Sequence, residues 1–219
     1  MSTLKAEAVL FDLDGTLVDS TRASEISWRR WARDHRVPFR SVQAVHHGRR
    51  PQETVAIVAP HLDSEREARR IYAEQETLLE GTAPIEGAAE FFRSVPTGRA
   101  AVVTSATLAI VKLRFKIVGL EPPAVCVTAD LGLAGKPQPD GYLEAARRLG
   151  VRPADCVVFE DAPVGVIAAH RAGMRSIAIL SNYMETALRA ELAAEELPVA
   201  FLPDYRDIQL VDGRLEIAS

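Results

Sequence analysis

Asp12 and Asp14, one residue apart in Phe11-Asp12-Leu13-Asp14-Gly15-Thr16, are the first residues along the chain whose types and spacing could do chemistry. They follow an apolar run, Ala8-Val9-Leu10-Phe11, that is too short for a typical helix and reads as a buried strand. Gly15 permits a sharp turn, which places both carboxylates at the strand's C-terminal end, where open parallel sheets bind ligands. Two carboxylates held there repel each other unless a cation sits between them. An Asx-type turn closing the strand would use the same residue types, so the pair alone leaves both readings open.

Later parts of the chain add groups of complementary chemistry. The apolar run Ala100-Ala101-Val102-Val103 stops on Thr104-Ser105, and Cys156-Val157-Val158-Phe159 stops on Glu160-Asp161. Gly135-Lys136-Pro137 lies in the loop after Val125-Cys126-Val127. If these runs are parallel strands, all their C-terminal ends share one edge, and four acids, two hydroxyls and one ammonium converge there. The acids suit a hard cation such as Mg²⁺, while the hydroxyls and Lys136 can donate to phosphoryl oxygens. Blander roles exist for each: a strand-end cap for Thr104 and Ser105, a solvated surface lysine, a helix cap for Glu160-Asp161. A P-loop reading of Gly132 to Lys136 fails, because Asp130 stands where the first glycine belongs and Pro137 follows the lysine.

The elements that must position these groups follow from hydrophobic pattern. From residue 87 onward, helical stretches alternate with short apolar strands lacking polar alternation, the signature of a parallel sheet covered on both faces. Between residues 19 and 83 the pattern is helical throughout: Asp19 to Arg36 with Trp28 and Trp31 on its apolar side, Glu53 to Ala59, and Glu65 to Leu79 with Asp63 or Ser64 as N-cap. Near the end, Asp212-Gly213 between Leu210-Val211 and Leu215-Glu216-Ile217 reads as a tight hairpin turn. The expected fold is therefore α/β, a doubly wound parallel sheet built from residues 1–18 and 87–219, with an all-helical segment, residues 19–86, inserted between its first and second units.

Bulk properties narrow the function classes. A composition of 47% hydrophobic and 26% charged residues is that of an ordinary soluble globular protein. The net charge of -4 supplies no basic footprint for nucleic acid. No stretch reaches transmembrane length and the N-terminus offers no apolar leader core, so no membrane association is expected. The two cysteines, Cys126 and Cys156, sit in apolar runs without disulfide or metal spacing, and a reducing cytoplasm is the expected compartment.

The DxDGTL start, the Thr-Ser strand end, the Lys-Pro loop and the Glu-Asp strand end resemble, in order and spacing, the four motifs of the haloacid dehalogenase superfamily, over about Val9 to Ala169. The helical insertion resembles that superfamily's first class of cap. His47-Gly48-Arg49-Arg50 and Phe159 to Gly165 resemble its sugar-phosphate and glycerol-3-phosphate phosphatases. The resemblance implies that Asp12 attacks phosphorus, forming an aspartyl-phosphate, and that Asp14 is general acid and then general base. It implies Mg²⁺ held by Asp12, the Asp14 backbone carbonyl and Asp161, with Glu160 holding a metal-bound water or standing behind the ligands. Thr104 and Lys136 would bind phosphoryl oxygens, with Ser105 and Ala106 beside them on the substrate side.

In the cap, Arg49 or Arg50 could read the non-reacting end of a substrate through its planar fork, and His47 and Gly48 could touch it. The implied partner is a small phosphorylated metabolite, and the chain is expected to act as a monomer or weak homodimer. The implied reaction is Mg²⁺-dependent hydrolysis of a small sugar or polyol phosphate. A phosphoglycolate-type phosphatase and a β-phosphoglucomutase-like isomerase are the alternatives. Isomerases of that branch carry a histidine in the first cap helix, where Thr21-Arg22-Ala23-Ser24-Glu25 has none. Pro84-Ile85-Glu86-Gly87-Ala88 departs from the more usual Pro-Gly-Ala of the second hinge but keeps the glycine.

Overall fold

The computed structural model describes residues 2–193 and 199–218. At its centre lies β2 (Ala8–Phe11), every residue of which is buried. It is flanked on one side by β5 (Ala100–Val103) and β6 (Val125–Val127), and on the other by β7 (Cys156–Glu160), β8 (Arg175–Ile179) and β9 (Val199–Leu202). All five pairings are parallel, in the order β6-β5-β2-β7-β8-β9. Successive side chains of a strand point to opposite faces, and β2 divides accordingly. Val9 and Phe11 join the apolar layer under α5 (Ala88–Ser94) and α6 (Leu108–Ile117), whereas Ala8 and Leu10 join the layer under α7 (Asp140–Leu149) and α8 (Pro163–Arg171). This two-sided burial is why the strands are apolar runs without alternation. α9 (Glu185–Leu192) covers β8 through Leu188 and Leu192.

Register aligns the strand ends. Phe11 pairs with Val102 on one side and with Phe159 on the other, so Asp12, Thr104 and Glu160-Asp161 leave the sheet at one edge. Chain order runs from β2 through β5 to β6 and then restarts on the other side of β2 at β7, and this switch between β2 and β7 opens the crevice such sheets use for ligands.

Chain entry into and exit from the helical segment is marked by a two-stranded antiparallel pair, β3 (Val18–Asp19) with β4 (Ala83–Pro84). Between them, α1 (Thr21–Asp34), α2 (Phe39–Gln43), α3 (Pro51–Val58) and α4 (Ser64–Gln75) pack around Trp28, Trp31, Val42, Val55 and Ile71. The two tryptophan rings meet edge-on at 5.6 Å, and the Trp31 indole donates to the buried Glu67 at 3.1 Å. Two local features of this segment differ from the sequence expectation. The short α2 forms because Pro38 sets up its first turn and Val42 has a core to enter. α4 starts where expected, with the Asp63 side chain accepting from the Arg66 amide, but ends at Gln75 rather than running to Leu79. There the Thr77 hydroxyl takes the carbonyl of Glu74 and the chain turns away.

The hairpin at Asp212-Gly213 forms, both residues having positive φ (47° and 72°), and joins β10 (Ile208–Val211) to β11 (Arg214–Ile217). β11 also pairs with β1 (Ser2–Lys5), an N-terminal strand the sequence pattern did not announce. Neither cysteine is in a disulfide. Among the described residues no helix is long and apolar enough to cross a membrane.

Candidate active site

The turn after β2 is built by Leu13, whose carbonyl accepts from the amides of Thr16, Leu17 and Val18 at 3.3, 2.9 and 3.0 Å. Gly15 lies at φ 87° within it, and a Cβ there would collide with the Asp161 carboxylate and the Asn182 amide. Glycine thus serves both the backbone angle and the close approach.

Asp12, Glu160 and Asp161 come together here with oxygens all within 4.8 Å of one another, each residue buried. Lys136 reaches them from the loop before α7. Its ammonium donates to Asp12 Oδ1 and, at 2.5 Å, to Glu160 Oε1. Glu160 is fully engaged: Tyr142 donates to Oε1 at 2.8 Å, and the amides of Asp161 and Ala162 donate to Oε2 at 3.0 and 3.1 Å. Gly165 leaves room for that carboxylate, since a Cβ there would overlap it. Asp161 receives Asn182 Nδ2 at 2.7 Å on Oδ2 and the Thr16 hydroxyl at 3.4 Å on Oδ1.

Three dry carboxylates face one ammonium, and their protonation reflects it. Burial, opposed by Lys136 and reinforced by Glu160 and Asp161, pushes the Asp12 carboxyl well above its ordinary value. Burial and then Glu160 push Asp161 up to about 7. Burial alone would lower Lys136, but the charges of Asp12 and Glu160 overcome it and hold the ammonium above its ordinary value. An oxygen-only donor set with surplus negative charge fits a hard divalent cation such as Mg²⁺.

The Asp14 carboxylate stands apart from this cluster. The Ser20 hydroxyl donates to its Oδ1 at 2.5 Å, and Arg114 Nε donates to the same oxygen at 3.3 Å. The role that the resemblance gives Asp14 beside Mg²⁺ belongs to its backbone carbonyl, not to this carboxylate, whose Oδ1 is engaged by Ser20 and Arg114. On the opposite wall, the Thr104 amide continues the sheet by donating to Val127 O, and its Oγ1 accepts from the Ala106 amide at 3.1 Å, so the hydroxyl hydrogen is free to be donated. Ser105 is occupied in bridging: its hydroxyl donates to Gly48 O at 2.8 Å, and its carbonyl accepts from Tyr72 OH at 2.9 Å.

A cavity of about 90 Å³ lies between the strand ends and the helical segment. Asp12, Asp14, Thr104, Ser105, Ala106 and Asp161 line it from the sheet side, and His47, Gly48 and Arg49 line it from the helical side. Gly48, at φ 72°, lets the loop settle on Ala162 and Val164, which a Cβ would meet at 2.8 Å. Burial pulls the His46 imidazole down to about 3 and lowers His47 as well, so both rings are neutral donors and acceptors. Arg50 does not line the main cavity. Its Nη1 donates to Leu133 O at 2.5 Å, beside a smaller cavity that Lys136 also lines. Arg49 and Arg50 are adjacent, yet Arg49 lines the main cavity while Arg50, extended at the N-cap of α3, lines the smaller one.

Several site residues were not expected. Arg114 sits on the buried face of α6 with Ile110, Val111 and Phe115, and a charge at an apolar-periodic position is a readable signal. Ser20 precedes α1 as a capping residue, yet its hydroxyl goes to Asp14. Asn182 and Tyr142 carried no sequence signal.

A family model for haloacid dehalogenase-like hydrolases matches residues 6–173, and the chain belongs to that hydrolase family. It is 38% identical over 181 residues to hexitol phosphatase A of Escherichia coli, covering 80% of this chain and 84% of that one. It is 31% identical over 194 residues to glycerol-1-phosphate phosphohydrolase 1 of Saccharomyces cerevisiae, covering 83% and 77%. Among solved structures, a hydrolase from Pseudomonas syringae superposes with a TM-score of 0.78 at 24% identity, covering 90% of this chain and 93% of that one, a likeness of fold.

Proposed function

We propose that the protein is a Mg²⁺-dependent phosphatase that hydrolyses the monoester of a small sugar or polyol through an aspartyl-phosphate on Asp12. The observation that carries this reading is the placement of the buried Asp12 carboxylate at the cavity floor, against Lys136 and between the Asp161 and Thr104 strand ends. Asp12 forms a bond to phosphorus as the ester oxygen leaves with a proton from Asp14. A water, losing its proton to Asp14, then attacks phosphorus and releases phosphate and the Asp12 carboxylate. Thr104 and Lys136 hold the equatorial oxygens as charge develops on them. Asp12, Asp161 and the Asp14 carbonyl would hold Mg²⁺, with Glu160 fixing Lys136 and the Asp161 backbone from behind. When bound, the cation offsets the cluster's surplus charge and neutralises phosphoryl oxygens.

In this reading residues 19–86 form a cap domain over a core of residues 1–18 and 87–219. Substrate selection falls to cap side chains: Ser24, Trp28, His47, Arg49, Tyr72 and Gln75 line the cavity with hydroxyl-matching groups and one open guanidinium. That suits a short polyhydroxylated alcohol carrying one phosphate. The relatives' names, a hexitol phosphatase and a glycerol-1-phosphate phosphohydrolase, point to the same chemistry. The cavity-lining positions of α1 are Thr21, Ser24 and Trp28, with no histidine, so hydrolysis rather than isomerisation is retained. The test is a panel of phosphorylated metabolites assayed with Mg²⁺ and with chelator. Metal-dependent phosphate release from sugar or polyol phosphates is expected, and equal turnover in chelator would overturn the reading.

A further inference from the structure

We infer that Arg114 is a positioning residue for Asp14, fixing its Oδ1 so that Oδ2 carries the transferred proton, and tying it to the linker between α4 and β4. The inference rests on the proposed acid–base role of Asp14.

Arg114 occupies a place in α6 where its neighbours on the same face are Ile110, Val111 and Phe115. Its side chain is 3% exposed. A guanidinium held that dry is unfavourable unless its donors are met, and here Nε and Nη1 both find oxygen acceptors. Nε donates to Asp14 Oδ1 at 3.3 Å, and Nη1 donates to Leu78 O at 3.1 Å and to the Thr82 hydroxyl at 2.9 Å. Leu78 and Thr82 belong to the segment that leads from α4 back to the sheet.

Ser20 and Arg114 both engage Oδ1, and among the described residues no donor bonds Oδ2 of Asp14. The carboxylate lines the cavity, so Oδ2 is the atom left to exchange a proton there. Asp14 is neutral when it protonates the leaving oxygen and anionic when it takes a proton from the attacking water. Arginine suits both halves, because it stays charged and remains a donor throughout. A lysine or histidine so deeply buried could give up its proton between them.

A purely structural Arg114, one that only fastens α6 to the linker, would affect all substrates alike. A positioning role makes the loss depend on the leaving group. An alkoxide must be protonated as it departs, whereas p-nitrophenolate leaves without a proton. The experiment compares kcat/KM for p-nitrophenyl phosphate with that for an alkyl phosphate the panel shows to be turned over, in saturating Mg²⁺. It uses wild type, Asp14→Asn, Arg114→Met and Thr82→Val. The alkyl-to-aryl ratio should fall at least tenfold in Asp14→Asn and in Arg114→Met, and stay within twofold in Thr82→Val.

Equal slowing of both substrates in Arg114→Met, with the ratio still falling in Asp14→Asn, overturns the inference while leaving the acid–base reading intact. An unchanged ratio in Asp14→Asn removes that reading and the inference with it. If Arg114→Met does not fold, Arg114→Lys, which keeps the charge but lacks the Nε donor, is read by the same ratio. Free guanidinium added to Arg114→Ala should restore the alkyl phosphate preferentially; restoration of both equally counts against the inference.

Discussion

Lys136→Met takes away the ammonium that, among the described residues, meets the carboxylate cluster, and keeps most of the stem's volume. In the native protein the Lys136 side chain is 6% exposed and its ammonium bridges Asp12 and Glu160, whose side chains are 6% and 0% exposed. Removing one partner of a buried ion pair costs about 3–5 kcal/mol, because an uncompensated charge is left in a dry site. Here three carboxylates lose their counter-charge together, so the upper part of that range is expected at pH 8 in chelator. The loss should shrink at lower pH. Asp12 and Asp161 have native carboxyls raised above their unfolded values, Asp161 to about 7, so each favours the folded state while protonated. That contribution is fully present below the unfolded pKa near 4 and drains away as pH rises towards 7. At pH 5 the variant's cluster takes up protons and part of the penalty disappears. Urea unfolding followed by circular dichroism at pH 8 and pH 5, both in chelator, measures the two differences. A loss below about 1 kcal/mol at pH 8, the size seen for exposed pairs, or a loss equal at both pH values, would refute this electrostatic account of the cluster.

Arg49→Ala should raise KM for a sugar or polyol phosphate that the panel shows to be turned over more than for p-nitrophenyl phosphate. Arg50→Ala, whose guanidinium faces Leu133 O, should instead lower stability with little change in that selectivity. His46, buried and held neutral with its pKa near 3, stabilises the fold above its unfolded pKa of about 6.5 and loses that contribution as pH falls below it. Between pH 7 and 5 this is worth about 2 kcal/mol, so His46→Gln should unfold in urea with a flatter dependence on acid than wild type. Gly165→Ala forces a methyl onto the Glu160 carboxylate, and should cost about 1–3 kcal/mol in the same assay while reducing turnover.

The sheet was legible because its strands are buried on both faces. Uninterrupted runs such as Val157-Val158-Phe159, ended by polar residues, leave little else for the chain to form. Parallel register then brings those polar ends together, which is why residues 12, 104 and 160–161 group from the sequence pattern alone. The long-range pairing of Ser2–Lys5 with β11 has no local signature, since nothing in a four-residue run names its partner. α4 could not be delimited by periodicity, because its C-terminal stop depends on the Thr77 hydroxyl choosing the Glu74 carbonyl. Loop residues were the hardest. Arg49 and Arg50 have the same chemistry, and only the backbone direction at the start of α3 decides which of them faces the cavity. Ser105 offers a hydroxyl in the right place, yet a carbonyl from the Gly48 turn accepts from it. Arg114 was readable in principle, as a charge where α6 demanded an apolar residue.

The central claim is that Asp12 becomes covalently phosphorylated. Acid quenching during steady-state turnover of a radiolabelled substrate, followed by borohydride reduction and peptide mass mapping, tests it directly. The account predicts label on the peptide containing Asp12, conversion of residue 12 to homoserine on reduction, and neither in Asp12→Asn. Label recovered on His46 or His47, or an intermediate that survives in Asp12→Asn, would contradict it.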